Sequence, residues 1–285
     1  MIETTAEHIA LLNSRVFWAV DLYQITFLDG TSLRLLGDTG GLSTLWNGNT
    51  FQGGGPLLTR DAVRIARGLE ADDLSMTINP KADDLLLGLP WREAIQNGAL
   101  DGARISLWRA HAPMPGAPIV GAVLRFSGPV NDWEVEDEIR ISVKSDISKL
   151  DAPLPRAVYG PGCDRTLYTP GCDVNRTAYQ TNATALPGSS PASINTGLTA
   201  AAGYYAGGEI RWITGLNAGA RRTVKRQSAA GTLALTYPLN RSVTAGDSFV
   251  IWPGCAHDTQ DCGGKFNNLP HFRGEPFVPA PETAF

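Results

Sequence analysis

Residues 15–36 read RVFWAVDLYQITFLDGTSLRLL, two runs of alternating apolar and polar side chains joined at Asp29-Gly30. An Asp-Gly pair between alternating runs is the strongest short-range signal for a β-hairpin, because Gly accepts the positive φ that a tight turn needs. The alternation returns in ARISLWRAH (103–111), VLRFSGPVNDWEVE (123–136) and EIRISVKSDISKL (138–150), and on Val63, Ile65, Leu74, Met76 and Ile78. Helical patterning is confined to residues 3–14 and to ADDLLLGLPWREAIQNG (82–98), where Pro90 suits a helix start and Gly98 a stop. Many strands with few helices predict an antiparallel β-barrel or sandwich over residues 1–150.

Prolines at 153, 155 and 161 then mark an extended connector. Beyond it, residues 185–252 alternate short apolar runs with Gly-containing turns, the pattern of a small β-barrel. This stretch separates two cysteine-bearing segments, so it must begin and end in the same place. The sequence therefore predicts a cysteine domain built from 151–184 and 253–285, with 185–252 inserted into it as a β-module. The fold class is mainly β throughout, with few short helices.

The chain has 285 residues, 43% of them apolar and 18% charged, with a net charge of −4. It carries no extended basic stripe of the kind that tracks nucleic-acid phosphates. No run approaches eighteen uninterrupted apolar residues, and the early acids of MIETTAEHIALLNS do not form an export signal. The expectation is a reducing compartment, where structural disulfides rarely persist.

The four cysteines are Cys163 and Cys172, in PGCDRTLYTPGCDVNRTAY (161–179), and Cys255 and Cys262, in WPGCAHDTQDCGGKFNNLPHFRGEPFVP (252–279). Their spacings, eight and six intervening residues, are wider than the knuckles of common zinc sites. A four-thiolate centre remains open to them, since each ligand needs only its own loop, and iron–sulfur clusters accept loose spacing. Gly162, Gly171, Gly254, Gly263 and Gly264 would let backbone N–H groups approach the sulfurs. Two local disulfides or four reduced thiols are the plainer alternatives, and His257, close to Cys255, could be a substitute ligand, although such a histidine is more often a solvated loop residue.

Other groupings point to no chemistry. Asp72-Asp73 and Asp83-Asp84 read as solvated caps, and Gly53-Gly54-Gly55 precedes no helix that would make it a phosphate cradle. Asp132, Glu134, Glu136, Asp137 and Glu138 form an acidic edge that could meet a basic subunit; Arg221, Arg222, Lys225 and Arg226 form the one basic cluster. No nucleophile elbow or Ser-His-Asp arrangement is present. Tyr204, Tyr205 and Trp212 could form a sugar platform on the inserted module, although aromatic residues in short strands are more often core.

GCDRTLYTPGCD (162–173) and GDSFVIWPGCAHDTQDCGGKFNNLPHFRGEPFVP (246–279) resemble the C-terminal domain of phage tail hub proteins. The likeness is to the hubs of alphaproteobacterial gene transfer agents and prophages, and more distantly to the minor tail protein L of lambda-like phages. The closing pattern carries it: Cys255 and Cys262, then Lys265-Phe266-Asn267-Asn268, Phe272, Gly274 and Pro276. The family's N-terminal domain is matched by WNGNTF (46–51), GGGPLLTRDAVRIARGLEADDLSMTI (53–78) and LDGARISLWRA (100–110). The resemblance implies a non-enzymatic structural protein of the virion tail tip or baseplate, assembled in the bacterial cytoplasm. It implies a homotrimeric ring meeting the distal tail protein, the tail-tip fibre protein, the tape-measure protein and DNA in passage, with no membrane. It also implies that Cys163, Cys172, Cys255 and Cys262 hold an iron–sulfur cluster, [4Fe–4S] being favoured and zinc the runner-up. An iron–sulfur redox protein and a carbohydrate- or host-binding module are the alternatives from other functional classes.

Overall fold

The computed structural model describes residues 5–37, 40–63, 72–151 and 159–278. The chain divides into two compact units, Met1–Ala152 and Pro153–Phe285. Both are built on curled antiparallel sheets with few short helices. No helix among the described residues is long and apolar enough to cross a membrane.

In the first unit, helix α1 (Ala6–Ser14) starts at Thr5, whose hydroxyl accepts the His8 N–H, and ends at Arg15 in the left-handed region. The strands follow as β1 (Trp18–Thr26), β2 (Ser32–Leu36), β3 (Thr44–Trp46), β4 (Asn49–Phe51), β5 (Leu57–Arg60) and β6 (Asp73–Asn79). After β7 (Leu85–Leu86), β8 (Leu89–Pro90) and helix α2 (Trp91–Gln96) come β9 (Arg104–Ala112), β10 (Gly121–Val135) and β11 (Ile139–Lys144). Seven of the strands form one sheet in the order β2-β1-β9-β10-β11-β6-β5. The 15–36 hairpin is β1 and β2; its turn is fixed by the Asp29 carboxylate, which accepts both the N–H and the hydroxyl of Thr31, and by Gly30 at φ 84°.

Strand β10 is long enough to span the whole curl because it bends twice, with register shifts at Leu124/Phe126 and at Val130/Asp132. Each bulge adds local twist and turns the strand. The enclosed face carries the core, including Ile25, Met76, Ile78, Ile105, Leu107, Ile141 and Val143, and α2 adds Trp91, Ala94 and Ile95 to it. Strand β5 stands at the opposite end of the sheet order from β1 and β2, yet its Arg60 Nε lies 2.8 Å from Asp21 Oδ2 on β1. Arg109 of β9 reaches the other Asp21 oxygen at 3.1 Å. This ion pair fastens the open side of the half-barrel, and the surrounding burial, with the Asp21 charge added to it, pushes the Tyr23 hydroxyl up to about 12.

Two local expectations are corrected. Residues 82–87 do not enter a helix: β7 and β8 make a minimal hairpin whose turn residues, Leu87 and Gly88, have φ 51° and 84°. A run of leucines fits helix and strand alike, and here the left-handed turn at Gly88 decides. The alternation read on Val63, Ile65, Leu74, Met76 and Ile78 holds from Leu74 on, in β6, which begins at Asp73; Val63 lies past the end of β5, and Ile65 falls outside the described residues.

In the second unit, β12 (Thr181–Thr184), β13 (Ser193–Ile194), β14 (Glu209–Trp212), β15 (Arg221–Gln227), β16 (Leu233–Leu235) and β17 (Ser248–Trp252) form a sheet ordered β12-β17-β14-β15-β16-β13. Its first strand lies ahead of residue 185, where the sequence pattern opens the inserted module; Thr-Asn-Ala-Thr has no apolar alternation to mark it. The end strands are tied by the bridge Ala185↔Thr196 and by the Leu186 N–H to Asn195 carbonyl bond of 2.8 Å. Ile194, Ile210, Trp212, Val224, Leu233, Phe249 and Ile251 fill the interior.

Removing one member of a mostly buried ion pair leaves the other charge poorly compensated, here only in part because Arg109 still faces Asp21 at 3.1 Å. With both side chains partly reached by solvent, Arg60→Ala is expected to cost about 2 kcal/mol. Urea unfolding monitored on the first unit checks this, and paired Asp21→Asn, Arg60→Met is expected to recover much of the loss.

Candidate functional site

The second unit gathers its cysteines through one strand pairing. β12 and β17 are antiparallel neighbours, with Thr181 opposite Ile251, so the segment that precedes Thr181 and the segment that follows Trp252 emerge side by side. Three side chains bind the first segment to its surroundings. The Tyr168 hydroxyl donates to the Pro253 carbonyl at 2.9 Å, and that of Tyr179 to the Phe266 carbonyl at 3.1 Å. Arg176 lies over the Trp252 ring at 4.1 Å and pairs with Glu209 at 2.8 Å.

Cys163 and His257 hold each other twice: the Cys163 N–H donates to the His257 carbonyl at 2.8 Å, and His257 Nδ1 lies 3.0 Å from the Cys163 carbonyl. His257 has φ 62°, which turns its N–H toward Cys255 Sγ at 3.3 Å. The Arg273 N–H approaches Cys163 Sγ at 3.4 Å. Cys262 rides on a π-helical turn, Asp261–Lys265, and its thiol donates to the Asn268 carbonyl at 3.3 Å. Asn268 reaches across to the first segment, its Nδ2 donating to the Cys172 carbonyl at 2.6 Å and standing 3.8 Å from Cys172 Sγ.

All four cysteines, none in a disulfide, line one cavity of about 20 Å³ together with Leu167, Val174 and Phe266. Among the described residues, no three His, Cys, Asp or Glu side chains come together closely enough to hold a single metal ion. A tetrahedral zinc with Zn–S bonds of about 2.3 Å would need sulfurs roughly 3.8 Å apart.

Burial pushes the Cys255 thiol up; the His257 N–H opposes that, Asp261 and Cys172 add to it, and Lys265 pulls the other way. The Cys262 thiol is raised by burial and then by the other three cysteines. Mutual repulsion of this kind is what a bound cationic centre would relieve.

The remaining sequence candidates lie elsewhere. Trp212 and Tyr205 are core residues, so the aromatic platform is not presented to a sugar. Arg222 points inward and donates to the Pro238 carbonyl, whereas a register shift at Val224/Arg226 turns both Lys225 and Arg226 outward. The acidic edge is exposed at the β10–β11 turn, Asp84 caps the Lys81 turn, and Gly53 is a close-approach position where a Cβ would stand 1.9 Å from the Leu42 carbonyl oxygen. Sequence reading missed Asn268 and Lys265; their only signal was a place in the KFNN string next to Cys262.

A family model described as baseplate hub protein, N-terminal attachment domain, matches residues 5–175. A second, described as phage conserved hypothetical protein BR0599, matches residues 203–282. Among solved structures, a chain from the virion of a native gene transfer agent particle is similar with a TM-score of 0.73 and 20% identity, over 98% of this chain and 94% of that one. At that identity the likeness is one of fold. No curated protein matches the sequence.

Raised thiols give a signed pH dependence. The unfolded chain loses these protons near the ordinary thiol value of 9.0, before the folded protein does, so it binds fewer protons above that pH. Stability of the metal-free protein is therefore expected to be level below pH 8 and to fall as pH rises through 9 and beyond. Melting curves at pH 7.5 and 10 test this; Cys255→Ser with Cys262→Ser should flatten the slope.

Proposed function

We propose that this chain, which belongs to the baseplate hub protein family through its N-terminal attachment domain, is a ring-forming structural component of a phage-like tail, with an iron–sulfur cluster holding its second unit in shape. The ring is a homotrimer at the tail tip. It joins the distal tail protein to the tail-tip fibre protein, and the tape-measure protein and DNA pass its axis. Family membership supports the hub role, and the full-length likeness to a virion chain supports the same placement. We assign the chain no substrate turnover.

The observation that carries the cluster is the convergence of four free thiols, from two segments separated by the whole six-stranded sheet, on one cavity. Cys163, Cys172, Cys255 and Cys262 would be the ligands. The donor set fits in kind: four thiols line one cavity, and two of them already face backbone N–H groups, from His257 and Arg273. When bound, the cluster supplies four sulfur–metal bonds between loops that otherwise meet through hydrogen bonds and the packing of Tyr168 and Tyr179 on Phe266. Binding of such a centre is folding free energy for the loops it ties.

Anaerobically purified protein is expected to be brown, with about four irons and matching acid-labile sulfide per chain. A colourless protein carrying one zinc overturns the cluster. Cys255→Ser is expected to leave residues 159–278 open to limited proteolysis while the first unit stays resistant. Sedimentation as one copy of the 30.4 kDa chain, even with the neighbouring tail proteins present, would count against the ring.

A further inference from the structure

Lys265 is a buried lysine, its side chain only 10% exposed. Lysine is almost never buried without a partner, because its ammonium gives up a strong hydration shell. Here Nζ donates to the Gly254 carbonyl at 2.7 Å and lies 3.6 Å from Asp261 Oδ2. It also faces the Tyr204 and Phe266 rings, at 5.1 Å and 5.5 Å from their centroids. Asp261 in turn accepts the Ala256 N–H at 2.8 Å. The residues that flank Cys262 in its turn, Asp261 and Lys265, thus grip the residues on either side of Cys255, namely Gly254 and Ala256.

The π-helical turn makes this possible. Its wider bond, from the Phe266 N–H to the Asp261 carbonyl at 3.1 Å, places Asp261 and Lys265 on the face that carries the Cys255 loop. Such turns are uncommon and concentrate at functional sites. An ordinary apolar contact would join two loops at less desolvation cost. A largely covered ammonium brings something an apolar side chain cannot, a fixed positive charge on the turn that carries Cys262 and against the loop that carries Cys255.

Resting on the iron–sulfur reading above, we infer that Lys265 is a positioning residue for the cysteine site and, balanced by Asp261, a fixed charge that tunes the reduction potential of the centre held there, alongside Arg165 and Asp258 of the cavity lining. Reduction adds negative charge to a thiolate-bound cluster, and a cation held nearby stabilises the reduced form. Removing Lys265 leaves Asp261 uncompensated and lowers the potential. Neutralising Asp261 leaves Lys265 unopposed and raises it. The opposed signs separate an electrostatic role from a merely structural one, since loosening of the loops would move both variants the same way.

The test compares full-length wild type, Lys265→Met, Lys265→Arg and Asp261→Asn for iron content and for the midpoint potential by redox titration. Lys265→Met is expected to favour the oxidised form by about tenfold, a fall of about 59 mV for a one-electron couple. Asp261→Asn is expected to shift upward, and Lys265→Arg to stay close to wild type. Iron-loaded Lys265→Met at the wild-type potential, or both neutral variants moving in one direction, overturns the inference. Should Lys265→Met fail to retain iron, Asp261→Asn decides: an unchanged or lowered potential overturns it. Wild-type protein without iron overturns the cluster reading itself.

Discussion

The cysteine site depends on the pairing of β12 with β17. Residues 181 and 251 are seventy positions apart in sequence and opposite one another in space, so everything before the first strand and after the last is delivered to the same edge of the sheet. Without that pairing, Cys163 and Cys172 would have no route to Cys255 and Cys262. The sheet core, with Trp212 and Phe249 packed at its centre, fixes the two strands. Arg176, stacked on Trp252 and paired with Glu209, carries that rigidity into the first cysteine segment. A chain of ordinary interactions therefore prepares the loops and brings the four thiols to one cavity.

The first unit meets a related problem by another route. Its curled sheet leaves β5 and β1 facing one another without backbone pairing among the described residues, and Arg60 spans the gap to Asp21. An ion pair half out of solvent is worth less than a closed ladder. It is also specific: only one register of β5 brings Arg60 to that carboxylate. The two bulges in β10 supply the curvature that makes the approach possible.

Much of this was legible in the sequence where one physical pattern dominated. Strict alternation announced β1, β2, β9 and β11, and Asp29-Gly30 announced the first turn. Asn47 and Gly48, with φ 47° and 72°, carry an equally plain hairpin signal between β3 and β4. The leucines at 85–87 gave no period to choose between helix and strand. The cysteines were visible as two loop pairs, but Asn268 and Lys265 were not, because a polar side chain in a Gly-rich loop looks the same whether it is hydrated or buried. Tyr205 and Trp212 went the other way: aromatic residues in short strands read as core, and their rings lie there.

The second unit receives and releases its chain at one point, the Glu275 N–H bonding the Gly160 carbonyl at 2.7 Å. Tension applied between those two positions runs through that crossing and the cysteine loops beside it, and the six strands lie off the load path. Force between those positions would then strain the loops and leave the sheet slack. The sheet is in that sense a passenger, free to change in length or surface without altering how the joint bears force.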